Sequence, residues 1–564
     1  MIRLGINFLL MAALLPGQTA AEKPGRVSGR VTNALTGEPL RKVSVVLTPA
    51  GAQQQGMGPL GALRSGLSTL TDANGMYRIE NVPPGTYRVL GEKAGFLKSN
   101  QGNWAGGGGD ARLDISAGTD KAEVNLRLLP QGVVSGRIVD EDGDPLEGVL
   151  VNLYRPNTRA AGMARGGPVA AFLGGGMNQT NDRGEFRIAN VSPGRYYLLV
   201  RKLEPSVQQG GVEFGYPQVF FPGVETMAQA QRIEVAAGQE MSGLTMTLRR
   251  TRVFRVTGSV TGVSAAAESG QRGGRRGMLN GGYSVQLRLD GGYNEEQPGP
   301  PGMAGRGGAG MVTADGRFEI RGVTPGAYRV LLSTFGQGGL RVVASANVNV
   351  GGDDVTGLVL SPAPLATLSG KVTVEGEAAA VNLKSVRVAV QPEMGMVMTV
   401  NPAEDGTFVL KDLSLERMRV NVMAPAGAYV KALRMGGQPV PEAGLDFAAG
   451  VAGQLEVVLS TKVAQLSGTV QRHTGDAAGV VVVADAKLRP VGQRAQVDEN
   501  GNYTVSGLGP GEYKVFAFEE YDGSDPELLE RFAARAENVR LAEGENKSVP
   551  LKQVRYAEIV SAPR

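Results

Sequence analysis

One phrase recurs five times along this chain at a spacing that never changes. Its form is a turn, Asp-x-x-Gly, then an aromatic residue two positions on, then Pro-Gly-x-Tyr. It reads TDANGMYRIENVPPGTYRV from Thr71, NDRGEFRIANVSPGRYYLL from Asn181 and TADGRFEIRGVTPGAYRV from Thr313. It returns as AEDGTFVLKDLSLERMRV from Ala403 and DENGNYTVSGLGPGEYKV from Asp498. The turn glycines are Gly75, Gly184, Gly316, Gly406 and Gly501, and ten residues beyond them stand Gly85, Gly194, Gly326, Glu416 and Gly511. A fixed internal period means one small unit duplicated in tandem, so the architecture is read from the unit.

A second phrase opens each unit: VSGRV from Val27, VSGRI from Val134, VTGSV from Val256, LSGKV from Leu368 and LSGTV from Leu466. Alternating apolar and polar residues around a glycine read as a half-buried strand. In two units a turn follows, TGEPL from Thr36 and DGDPL from Asp142. A β-branched strand comes next, such as VSVVL from Val43 or GVVVVA from Gly479. In the recurrent phrase the Asp or Asn caps a hairpin turn and Gly takes its positive-φ position. Tyr77 and Ile79 then face one side of a strand, Arg78 and Glu80 the other. Most units close with a strand, a small-residue turn and a further strand. About seven short strands per unit, with turns every 8–12 residues, predict a two-sheet antiparallel sandwich. One helix is expected, PELLERFAARA from Pro526, with Pro at its first position.

The predicted fold is therefore all-β, a tandem array of about five seven-stranded sandwiches in an extended arrangement. Expected boundaries are 25–130, 131–250, 251–364, 365–462 and 463–556, with a tail at 557–564. Glycine-rich inserts interrupt the first three units from Gly51, Pro156, Gly270 and Gly291 and read as mobile loops. Glycine is 83 of 564 residues, yet Pro and Gly together stay below the ~25–30% that marks a disordered low-complexity chain. At 42% hydrophobic residues the units can form cores, though each is small.

The first residues, MIRLGINFLLMAALLPGQTAAEKPG, predict a secretory signal peptide over 1–21. Arg3 supplies its charge, Ile6 to Leu15 its apolar stretch and Thr19-Ala20-Ala21 its cleavage site. No later stretch reaches the ~20 apolar residues of a membrane-spanning helix. An exported protein is expected, in the periplasm, at the cell surface or released. Cysteine is absent, so disulfides, thiolate metal sites and a cysteine nucleophile are excluded. The net charge of +4 is slight for this length and argues against nucleic acid.

The paired phrases SGxV and Asp-x-x-Gly-x-aromatic…Pro-Gly-x-Tyr resemble the carboxypeptidase regulatory-like domain family, as five copies covering nearly the whole mature chain. The fourth copy departs from the pattern, with LSLERMRV and Met418 in place of the tyrosine. The resemblance implies a transthyretin-like, Ig-like Greek-key sandwich related to Cna B-type modules. Such domains accompany metallocarboxypeptidases and occur in exported bacterial proteins, and several related modules bind carbohydrate. The family has no catalytic residue to carry over.

The residues themselves offer little chemistry. His473 is the single histidine, and no nucleophile or orienter is signalled near it. One His without Cys does not make a zinc site. The acids at Asp140, Glu141, Asp142 and Asp144 lack the twelve-residue calcium pattern and its terminal Glu. No catalytic residue, metal or cofactor is expected.

Five aromatics fall off the repeat pattern and are the candidate ligand-binding residues: Trp104 in QGNWAGG, and Phe214, Tyr216, Phe220 and Phe221 in EFGYPQVFFPG. Flat apolar rings can form a carbohydrate platform. The same residues can instead cover a sheet edge or a seam between domains. The sequence thus points to a non-enzymatic, exported binding or spacer protein with a protein or glycan partner. A carbohydrate-binding accessory is the alternative.

Overall fold

The computed structural model describes residues 24–49, 67–97, 99–100, 103–104, 113–118, 120–121, 124–154, 178–202, 207–209, 212–262, 282–289, 309–313, 315–336, 339–377, 381–392, 397–451, 453–473, 479–521 and 527–561. The stretch 1–21, expected to be a signal peptide, and most of each glycine-rich insert lie outside these residues. The chain divides into two compact units. One comprises Met1–Ala105 with Gly109–Leu129, the other Gly106–Gly108 with Pro130–Arg564.

The first unit contains the first copy of the phrase. Its opening strand, Gly25–Asn33, lies between two neighbours. It pairs antiparallel with Met76–Val82, the strand that follows the Asp-x-x-Gly turn, and parallel with Leu126–Leu128. A second sheet is built on Ser44–Pro49 paired antiparallel with Gly85–Glu92, which in turn pairs with Leu113–Ile115. Between the sheets lie Val27, Val31, Val45, Leu47, Tyr77, Ile79 and Val89, all buried. The alternation read from the sequence holds: Tyr77 and Ile79 point into this core while Arg78 and Glu80 face outward.

The second unit repeats the pattern four times. The opening strands Gly132–Val139, Phe254–Val260, Ala366–Glu375 and Ala464–Gln471 each pair antiparallel with the strand after the turn. Each also pairs parallel with a closing strand, respectively Glu240–Thr247, Val355–Leu360, Leu455–Ser460 and Leu551–Val554. The parallel pairing was not read from the sequence. It arises because the chain crosses to the second sheet and returns, so the closing strand re-enters in the direction of the opening one. Each copy has its own buried cluster.

The glycine of SGxV is explained by this closing segment. A Cβ on Gly136 would sit 2.0 Å from the carbonyl oxygen of Leu244, and one on Gly258 2.2 Å from that of Leu358. Gly29 and Gly468 meet Val124 and Val549 in the same way, at 2.1 Å. Directly across the antiparallel ladder from each glycine stands the aromatic of the second phrase: Tyr77, Phe186, Phe318, Phe408 and Tyr503 opposite Gly29, Gly136, Gly258, Gly370 and Gly468. The ring covers the place where the glycine has no side chain. The two phrases are therefore one packing unit, which is why they occur together.

The helix expected from Pro526 is shorter than the sequence suggested. It spans Leu528–Arg531 and continues as a 3-10 turn, Ala533–Arg535. Leu528, Leu529 and Phe532 dock on Phe516 and Phe518, on the outer face of the fifth copy's second sheet. A further helix, Tyr556–Ser561, occupies the stretch read as a tail, with Ile559 buried in the same cluster. Two helices so cover a face that is open to solvent in a bare sandwich.

Candidate functional site

The tyrosine of each Pro-Gly-x-Tyr ties down the turn before it. Tyr87 donates to the Pro83 carbonyl at 2.9 Å, Tyr328 to Thr324 at 2.9 Å and Tyr513 to Gly509 at 2.8 Å, and Tyr196 donates likewise to Ser192. In the fourth copy Met418 fills the ring's place and is buried, and no hydroxyl ties the turn. The turn is held from outside instead. The Leu415 N–H donates to the Val342 carbonyl at 2.8 Å, and the Val342 N–H donates to Ser414 Oγ at 3.3 Å. Arg341 Nε donates to the Asp412 carbonyl at 3.0 Å. Val342 belongs to Gly339–Val350, a long edge strand of the third copy. The broken phrase is thus a docking seam between the third and fourth copies. Arg341 is buried there, and that burial lowers its guanidinium pKa.

A second seam joins the fourth and fifth copies. The ring of Tyr429 lies over Gly509, where a Cβ would approach it to 2.7 Å. Glu543 accepts from Tyr429 Oη at 2.9 Å and Ser460 Oγ at 2.9 Å, with Lys431 Nζ at 3.4 Å. Those two hydroxyl bonds, helped by Lys431, lower the Glu543 pKa below the ordinary carboxylate value. Beside this network a cavity of about 300 Å³ is lined by Tyr429, Lys431, Gln493, Leu508, Tyr513 and Glu543.

A third seam runs between the second and third copies, and the aromatic segment forms it. Strand Val212–Gly215 pairs with Thr251–Arg252, so Phe214 stands opposite Arg252. The Val253 N–H donates to the Glu213 carbonyl at 2.9 Å, and Arg255 Nε reaches the Glu213 carboxylate at 3.2 Å.

The four candidate ligand residues of the aromatic segment are not gathered on one exposed face. Tyr216 and Phe221, half-buried, lie against the second copy's inner core. Phe220 is 4% exposed, in a satellite cluster with Tyr154, Tyr197, Leu199 and Met227 on the opposite side of that sheet. The backbone of Trp104 pairs with Ser99 in a short hairpin, and its side chain lies outside the described residues. His473 is exposed. Asp140 Oδ1 accepts from the N–H groups of Asp142 and Asp144, closing a turn, and Glu141 pairs with Arg250 at 2.7 Å. Among the described residues no group of three or more His, Asp or Glu side chains is placed to hold a metal ion. No described helix is long and apolar enough to cross a membrane.

One contact links copies far apart in sequence. Glu527, in the fifth copy, accepts from Arg195 Nε at 2.7 Å and from Arg232 Nη1 at 2.9 Å, both in the second copy.

The fold and its seams define a tandem β-sandwich protein. Residues 26–118 match the family model of the carboxypeptidase regulatory-like domain. The match covers the first copy, and the other four share its phrases and strand pairing. No curated protein matches the chain in sequence. Among solved structures it is similar to the minor pilin of Streptococcus agalactiae, at 15% identity and TM-score 0.22, covering 40% of this chain and 96% of that one. It is similar also to the major pilin SpaD of Corynebacterium diphtheriae, at 11% identity and TM-score 0.17, covering 61% and 99%. Two B repeat units of the collagen-binding protein of Staphylococcus aureus align at 12% identity and TM-score 0.12, covering 78% and 100%. Likenesses this slight bear on neither ligand nor partner.

Proposed function

We propose that the protein is a non-enzymatic, exported scaffold that holds or spaces a partner outside the cytoplasm. In this reading 1–21 is the export signal, and five sandwich modules follow, bounded at 25–130, 131–250, 251–364, 365–462 and 463–556. The observation that carries it is the use of the departures from the repeat. The broken phrase at Ser414–Glu416, the strand at Glu213–Phe214 and the Tyr429–Glu543 network each join one module to the next. Side chains that depart from a repeat are where a function specific to one module is sought. Here these act in holding modules in register.

The cavity between Tyr429 and Tyr513 favours a second reading, a carbohydrate-binding accessory. Two ring edges with charged hydrogen-bonding neighbours suit a sugar. Trp104 remains a candidate platform in that reading. Binding to a glycan array and to insoluble polysaccharides separates the two. A scaffold shows no retention. Retention that is lost in Trp104→Ala or Gln493→Ala establishes the accessory reading and overturns the scaffold.

A further inference from the structure

Two arginines of the second copy hold the carboxylate of Glu527 in the fifth. Arg195 and Tyr197 stand two residues apart on strand Gly194–Lys202, and Arg232 lies directly opposite Tyr197 on Arg232–Val235. All three therefore project from the outer face of one sheet. Arg232 is also held by its own sheet. Its Nε donates to Tyr197 Oη at 2.8 Å, and its guanidinium lies 5.1 Å over the Tyr197 ring. The ring is held in turn by the satellite cluster, in edge contact with Phe220. Two guanidinium donors aimed at one point make a fork that suits a carboxylate.

Glu527 is equally well placed from its own side. It immediately precedes helix Leu528–Arg531, and Leu528 and Leu529 are buried in the fifth copy. A side chain at a helix start ordinarily accepts from the first free N–H groups. Glu527 makes no such bond, and its two oxygens go one to each arginine. Its side chain is 13% exposed, while Arg195 and Arg232 remain 32% and 42% exposed. The contact is thus a carboxylate buried against two half-open arginines, across a sequence separation of 332 residues.

We infer that this clasp is a latch that holds the fifth copy against the second and that opens when its charges are screened or replaced. The other seams also carry ion pairs, Arg255 with Glu213 and Lys431 with Glu543, but beside them lie a strand pairing or a ring seated on a glycine. The clasp is a pair of ion pairs on one carboxylate, so salt should weaken it. The screening length falls from about 10 Å at 0.1 M salt to about 3 Å at 1 M.

The absence of cysteine makes the test direct. Ser242 and Ser548 are exposed in the second and fifth copies. Ser242→Cys with Ser548→Cys in the full chain, each carrying a spin label, gives a distance by pulsed electron resonance. A narrow distribution is expected in low salt. It should lengthen and broaden with Glu527→Arg and in 1 M sodium chloride. Adding Arg195→Glu and Arg232→Glu to Glu527→Arg should restore the narrow distribution. Glu537→Gln, an exposed charge change just beyond the helical segment, should leave it unchanged, and circular dichroism checks that each variant is folded. A distribution that Glu527→Arg and salt leave unmoved overturns the latch. So does one that Glu537→Gln broadens as much, since the effect would then be a general one of charge in the fifth copy.

Discussion

Asn81, Asn190, Gly322, Asp412 and Gly507 hold one position, six residues after each turn glycine, and all adopt a left-handed φ between 57° and 81°. At this point the strand after the turn carries an extra residue, and the ladder to the opening strand slips, as between Gly25 and Val27. A left-handed residue is what such a bulge needs, and Asn, Asp and Gly adopt it at least cost. The signal was in the sequence, in EN, AN, RG, KD and SG, but it hides inside an otherwise alternating strand. Asn81→Val should destabilise the first copy by about 1–2 kcal/mol, the usual cost of a left-handed backbone in a residue with a Cβ branch. Asn81→Gly should stay near the parent, and thermal unfolding of the two variants checks both. A titrating residue gives a second test. Tyr503 donates to the Val549 carbonyl at 2.8 Å, and burial pushes its pKa up to about 12. The folded state therefore holds this proton more tightly than the unfolded chain, whose tyrosine ionises near pH 10. The stabilisation is complete below pH 10 and is lost as pH rises toward 12. Tyr503→Phe should flatten the fall in stability over that window, as followed by denaturant midpoints.

The strands were legible because their periods and turn residues are local. So was the alternation that turns Tyr77 and Ile79 inward and Arg78 and Glu80 outward. The partners of the broken phrase were not legible. LSLERM shows only that Pro-Gly-x-Tyr is missing, and nothing local names Val342, over seventy residues upstream. The same holds for EFGYPQVFFPG. Its composition fits a ligand platform or a seam alike, and the pairing of Phe214 with Arg252 depends on a fold-level meeting. The helix Tyr556–Ser561 was missed because six residues carry too little periodicity to register. The seam can be tested at Ser414, which is buried and accepts from the Val342 N–H. Ser414→Ala leaves that buried donor without its acceptor, at a cost of about 1–3 kcal/mol. Hydrogen exchange should quicken at Val342 and Leu415 while the cores of both copies keep their protection.

Across the second unit, the seams differ in chemistry and so should fail separately. Gly509→Val places a branched side chain where the Tyr429 ring lies. The fourth and fifth copies should each stay folded while their mutual angle changes. Small-angle scattering of the full chain should then shift, with little change in far-ultraviolet circular dichroism. The parallel pairing of opening and closing strands carries a different consequence. In every copy the chain enters along one strand and leaves along its parallel neighbour, so entry and exit lie at opposite ends of the sandwich. Tension applied through the chain then drags these two strands past each other lengthwise. Their hydrogen bonds share the load together, instead of parting one by one as a hairpin pulled from its open end would. Each copy should therefore resist stretching along the chain. Single-molecule pulling should show discrete high-force steps, and Thr245→Pro, in the second copy's closing strand, should weaken one of them.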